Sequence, residues 1–242
     1  MNSEWSEEVF PATRWSLISS LKDGGEDSEK EFWDWFSSHY WQPIYCFLCA
    51  TGKSKAEAED LTQEFFNRAF TQNILKDARE DRGKLRTYVL SILKRMLSKI
   101  ERDQNAQKRG GGCEIVSLDS SQFEWLETWE NSQEKTPEQI YEHCWAHHVV
   151  QSAQKKLKSE FEDEERLEIY ERLESYILNE ESRPSYEDLA QQMKASPGAM
   201  RLLVFRLRRR FRDLVDEEIV QTVSATDEFD SERQWLLQTL RG

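Results

Sequence analysis

The sequence predicts an all-α protein: two helical domains joined by a flexible linker, the second ending in a helix-turn-helix. Three observations carry this. Apolar residues recur at helical spacing through most of the chain, and no strand-like alternation of useful length interrupts them. A glycine triplet at 110–112 opens a polar stretch without clear period that runs to 136. Towards the C-terminus a short capped segment, a tight break and a long basic helix follow one another.

Composition narrows the class. With 242 residues the chain has length for one large domain or two small ones. Hydrophobic residues at 38% and charged residues at 33% fit a soluble helical protein. No apolar run approaches the roughly 20 residues that span a bilayer. The opening MNSEWSEEVF lacks a basic-then-apolar signal pattern, so a cytoplasmic location without membrane partners is expected. Cys46, Cys49, Cys113 and Cys144 are too few for a disulfide framework and read as free thiols. The formal net charge of -13 argues against indiscriminate DNA binding, since the average field repels phosphate. Local basic faces remain compatible with it, so the distribution of charge matters more than its sum.

Residues 1–30 form an N-terminal extension with a short apolar segment and a Gly-Gly break. The first domain is expected over 31–109. It opens on the aromatic-rich EFWDWFSSHYWQPIYCFLCAT and continues in SKAEAEDLTQEFFNRAF, with Ser54 as the cap. After a loop it closes on the basic amphipathic helix LRTYVLSILKRMLSKIERDQNAQKR. There Leu85, Val89, Ile92, Leu93, Met96 and Ile100 form a stripe for burial, leaving Lys94, Arg95, Lys99 and Arg102 outward. From Arg82 to Arg109 nine basic residues meet only two acids, Glu101 and Asp103. The linker spans 110–136. Helical text resumes at Thr136-Pro137, a good helix start, and the second domain takes 137–222, followed by a helical tail over 223–242.

The second cationic segment is SPGAMRLLVFRLRRRFRDLV at 196–215, which holds six arginines and no acid between Arg201 and Arg212. Ser196 supplies a capping hydroxyl and Pro197 the first helical position. Met200, Leu203, Val204, Leu207, Phe211 and Leu214 make a continuous apolar stripe. Arg201, Leu202, Phe205, Arg208, Arg209 and Arg212 point elsewhere. Upstream, RPSYEDLAQQM is a shorter helix capped by Ser185, with Asp188 three residues on. A short helix, a tight turn and a longer basic helix place the second helix in a DNA major groove.

The wording YEDLA, SPGAMR and RLRRRFRDL resembles the promoter-reading helix-turn-helix of bacterial sigma factors of the extracytoplasmic-function type. EEIVQTV, FDSERQWLLQTL, FPATRWSL at 10–17, AQKRGGG and TPEQIYEHCWA resemble a planctomycete-type subgroup, so the likeness covers nearly the whole chain. The resemblance implies that Arg201, Leu202, Phe205 and Arg206 face the upstream promoter element, while Arg208, Arg209 and Arg212 hold phosphates. Phe205 stands where the subgroup commonly carries histidine; a phenyl ring can touch a thymine methyl but accepts no hydrogen bond.

EAEDLTQEFFNRAF resembles the helix that grips the clamp of core RNA polymerase, with Asp60, Leu61, Gln63, Glu64, Phe66, Asn67 and Arg68 as its contacts and Phe65 a further packing candidate. Independently of that likeness, Asp60, Glu64 and Asn67 share one helical face and can meet a basic surface together. The resemblance assigns Arg86, Lys94, Arg95, Lys99 and Arg102 to the downstream promoter element, and the loop Ile74 to Lys84 to trapping an unstacked base. The implied partners are core RNA polymerase and promoter DNA. An anti-sigma protein, a kinase, or the terminal segments 1–30 and 223–242 are candidates for control.

Two alternatives stay open on sequence grounds: a stand-alone helix-turn-helix regulator, which usually needs a dimer to span two half-sites, and an adaptor whose arginines serve an acidic protein. The pair Cys46 and Cys49 sits in an apolar run where thiols behave as small apolar groups. His143 and His147 lack a third ligand at zinc spacing. No glycine-rich phosphate loop, nucleophile elbow or paired-carboxylate setting appears, so neither enzyme nor cofactor is expected.

Overall fold

The computed structural model describes Ile18, Leu21 and residues 26–79, 83–107, 135–178, 183–221, 223 and 226–241. Arg82, Lys108, Arg109, Cys113, the segment FPATRWSL and nearly all of the expected linker lie outside the described residues. Among those described, all regular structure is helical. No described helix is long and apolar enough to cross a membrane.

In chain order the helices are α1 (Glu26–Ala50), α2 (Lys55–Thr71), a 3₁₀ turn at Ile74–Asp77, α3 (Leu85–Gln107) and α4 (Pro137–Asp163). Then come α5 (Leu167–Leu173), a 3₁₀ turn at Glu174–Tyr176, α6 (Tyr186–Gln192), α7 (Pro197–Val220) and α8 (Thr226–Arg241). Two compact units result, and their borders differ from 31–109 and 137–222. The first takes the described residues up to His148 together with those from Gln221 onward; the second is Val149–Val220. Helix α4 therefore contributes its first turns to one unit and its remainder to the other, and α8 returns to the first.

Helix starts follow local chemistry. At α2 the Glu57 N–H donates to Ser54 Oγ at 3.3 Å and the Ser54 N–H donates to Glu57 Oε2 at 3.0 Å, which satisfies two end donors reciprocally. Thr136 and Gln139 repeat the exchange at α4, at 3.3 and 2.8 Å. Ser185 Oγ accepts from the Asp188 N–H at 3.1 Å, and Ser196 Oγ from the Ala199 N–H at 3.2 Å. Gly83, with φ of 107°, supplies the left-handed residue before α3.

The first unit is built on aromatics. Phe32, Trp35, Phe36 and Tyr40 are buried along one face of α1. Phe36 stacks on Tyr40 at 4.7 Å and meets the edge of Phe66 from α2 at 5.4 Å. The expected stripe on α3 is buried through Leu85, Val89, Ile92, Leu93 and Met96, joined by Leu97, while Ile100 is half-buried.

The second unit packs Met200, Val204, Leu207, Phe211 and Leu214 of α7 against Ala153, Leu157, Tyr170, Leu173, Leu189 and Ala190, with Leu203 partly buried beside them. Helices α6 and α7 meet through a tight connection in which Lys194 has φ of 51°.

Candidate functional site

The stripe that packs α7 decides what its other side offers. Arg201, Leu202, Phe205, Arg206, Arg209 and Arg212 are all exposed. Leu202 keeps 51% and Phe205 57% of its surface in solvent, so this face carries apolar side chains among cations. Arg201 reaches Glu187 of α6 at 3.1 Å, with both side chains largely exposed, and lies over the Tyr186 ring at 5.6 Å. A pair so exposed contributes at most about 1 kcal/mol and yields readily to a stronger anion.

Two of the six arginines are held inside the unit. Arg208 is half-buried and its Nε donates to the Tyr176 carbonyl at 2.6 Å. Arg210 forks onto Glu160, with Nε 3.1 Å from both carboxylate oxygens, and reaches Glu217 at 2.9 Å. Hydrogen bonds donated to Glu160 keep its guanidinium protonated well beyond the ordinary range. For Arg208, expected to hold a phosphate, the described geometry gives at least one bond to spend on fixing the 3₁₀ turn against α7.

On α3 the predicted cations part company. Arg95, Lys99 and Arg102 are exposed; Arg95 and Arg102 donate back to the carbonyls of Ser91 and Ser98 at 3.2 and 2.9 Å. Lys94 is exposed and pairs with Glu138 at 2.6 Å, and that hydrogen bond leads the effects holding the Glu138 carboxyl below its usual range.

Arg86 is not on this face. It keeps 5% exposure, and its guanidinium lies over Trp235 at 3.8 Å and Trp145 at 4.8 Å. Both its terminal nitrogens bond the carboxylate of Glu232, which also takes Lys84, and Glu232 has no exposed surface at all. The Tyr141 hydroxyl donates to the Arg86 carbonyl at 3.1 Å. A guanidinium so enclosed cannot reach a phosphate without leaving its aromatic and acidic partners, which sets it apart from the other residues that the resemblance assigns to the downstream element. The signal was legible: Arg86 stands three, seven and eleven residues before Val89, Leu93 and Leu97, all buried, and so lies on the packed stripe.

The residues singled out on α2 divide similarly. Asp60, Gln63 and Asn67 are exposed, and Leu61, Glu64, Phe66 and Arg68 are partly covered. Glu64 and Arg68 pair with each other at 2.5 Å, four residues apart. Phe65 is buried and Phe66 leans on Phe36, so the aromatic pair belongs mainly to the core. An open groove of about 630 Å³ brings α2 and α3 together, with Glu64, Asn67 and Arg68 on one wall and Tyr88, Arg95 and Lys99 on the other. Ile74 and Asp77, from the segment expected to be a loop, also line it; Glu80, Asp81 and Arg82 of that segment lie outside the described residues. The Tyr88 hydroxyl donates to the Ile74 carbonyl at 3.0 Å, which ties the 3₁₀ turn to α3.

Cys46 and Cys144 are buried and Cys49 half-buried. Among the described residues no group of three or more His, Cys, Asp or Glu side chains is placed to hold a metal ion. Burial lowers the proton affinity of His143 and His147 below the histidine norm; His143 Nδ1 lies 3.0 Å from the Thr239 carbonyl of α8.

No protein-family model matches the chain, and no curated protein or solved structure matches it either.

Proposed function

We propose that the chain is a sigma factor of bacterial RNA polymerase: a non-enzymatic cytoplasmic subunit that binds the core enzyme, recognises promoter DNA and starts transcription. The observation that carries the reading is the exposed face of α7. Four arginines, Arg201, Arg206, Arg209 and Arg212, surround Leu202 and Phe205 on a long helix that follows a short capped helix and a tight turn. We read α6 and α7 as a helix-turn-helix. Its cations set register on phosphates, and its first two turns reach base edges.

Arg95, Lys99 and Arg102 on α3 supply a second cationic face, suited to the downstream element. Between α2 and α3 the groove offers polar walls where an unstacked base and its backbone can settle. Exposed Asp60, Gln63 and Asn67 on α2 suit a basic surface of the polymerase. An anti-sigma protein or a kinase remains a candidate partner for control.

The test is a titration of core RNA polymerase with the protein, without DNA and at moderate salt. The expected result is tight one-to-one binding, weakened by Asp60→Lys and by Glu64→Lys. Absence of binding, with dimerisation and salt-dependent binding to duplex DNA by the protein alone, would replace this reading with that of a stand-alone regulator.

A further inference from the structure

The outer side of α7 is defined as much by what it lacks as by its arginines. From Pro197 to Arg212 no side chain carries an oxygen atom, so this stretch offers donors and apolar groups but no strong acceptor. Leu202 and Phe205, three residues apart and therefore neighbours on the helix surface, lie opposite the buried stripe of Met200, Val204, Leu207 and Phe211. Among the described residues the other large apolar side chains left exposed, Phe70, Leu178 and Leu237, stand on separate elements. Around the pair, Arg201 and Arg212 occupy one flank and Arg206 the other, all of them exposed. Phosphates account for the arginines. They do not account for two adjacent apolar side chains held in water between them.

Base edges in a major groove sort by the same chemistry. The amino groups of adenine and cytosine need an acceptor, which this face lacks, whereas guanine presents two acceptors to an arginine and thymine a 5-methyl group to an apolar side chain. We propose that Leu202 and Phe205 are thymine readers: they take the 5-methyl groups of neighbouring base pairs, so that α7 selects thymine by apolar contact and guanine by arginine. This rests on reading α6 and α7 as a DNA-binding helix-turn-helix, and it names the bases that this helix can tell apart. The occupant is duplex DNA and not an acidic protein, because cations on both flanks of an apolar centre match two phosphate backbones on either side of a row of base edges.

Deoxyuridine, which is thymidine without the methyl group, tests this directly. The full-length protein, with and without core RNA polymerase, selects duplexes from a randomised pool, and the best duplex is rebuilt with deoxyuridine at one thymine at a time. At the thymines that meet α7 the expected loss of affinity is about fourfold per methyl, the order expected for one buried carbon. Leu202→Ala and Phe205→Ala, with helicity retained by circular dichroism, should each bind the thymine duplex more weakly. Each should also lose the response to deoxyuridine at its own position. A selected duplex whose deoxyuridine response is absent, or is the same in the wild type and both variants, overturns the proposal and leaves the DNA reading standing. A pool that yields no duplex in either setting removes the helix-turn-helix reading and the proposal with it.

Discussion

Charge at single residues is spent in two ways in this protein, and the two can be told apart by measurement. Arg86 sits between two tryptophans and bonds a carboxylate that has no exposed surface. Removing it leaves Glu232 with Lys84 alone, so Arg86→Ala should cost about 3 kcal/mol in urea unfolding. Arg86→Lys should recover little, since an ammonium neither forks nor stacks as a guanidinium does. Arg210, partly exposed and shared between Glu160 and Glu217, should cost no more than about 1 kcal/mol when replaced by alanine. Phe205 stands at the opposite extreme. With 57% of its surface in solvent, Phe205→Ala should leave stability within about 0.5 kcal/mol and, on the proposed reading of α7, weaken DNA binding. A large loss of stability there would place Phe205 in a contact other than DNA.

At the scale of the element, the start of α7 joins stability to the proposed function. Ser196→Ala removes the acceptor for the Ala199 N–H and should cost about 1 kcal/mol in thermal or urea unfolding. Gly198, two residues further on, has an ordinary backbone, and a Cβ there would meet nothing within 4 Å. Gly198→Ala should therefore stabilise the free protein by about 0.5 to 1 kcal/mol through lost freedom in the unfolded chain. If a DNA backbone approaches this turn, the same substitution should weaken DNA binding. Higher stability with unchanged affinity would move the phosphate path away from the N-terminus of α7. These starts were legible because a cap and its helix lie within about four residues of each other. Ser54, Ser185, Ser196 and Thr136 all bond the N–H three positions on, as their spacing suggested. The 3₁₀ turn at Ile74–Asp77 was not legible, because its tie to α3 comes from the Tyr88 hydroxyl, fourteen residues away.

For the whole molecule, buried titratable groups set a window of stability in pH. Burial lowers the folded proton affinity of His143 and His147, so the unfolded chain takes up protons first and stability falls as pH drops through their ordinary value of 6.5. Glu57, bonded by Ser54, and Glu138, bonded by Lys94, are held below 4.5, which deepens the loss in acid. At the other end burial, aided by Glu174, raises Tyr170 to about 12, and burial raises Tyr40, Tyr141 and Tyr176 as well. Those phenols stay neutral in the folded protein while the unfolded chain ionises near 10, so stability should fall from pH 10 upward. Thermal unfolding across pH 4 to 11 should show a plateau between about 7 and 10. A maximum near pH 5 would contradict it.

The sequence by itself determined the helical class, the helix starts and the apolar stripe of each amphipathic helix, because these depend on neighbours within one or two turns. It also located both cationic segments. Only the tertiary structure decided which acids hold the cations that do not stay outside. Arg86 meets Glu232 across 146 positions and Arg210 meets Glu160 across 50. Helical period predicts a side of a helix, but not the acid that a distant helix brings to it.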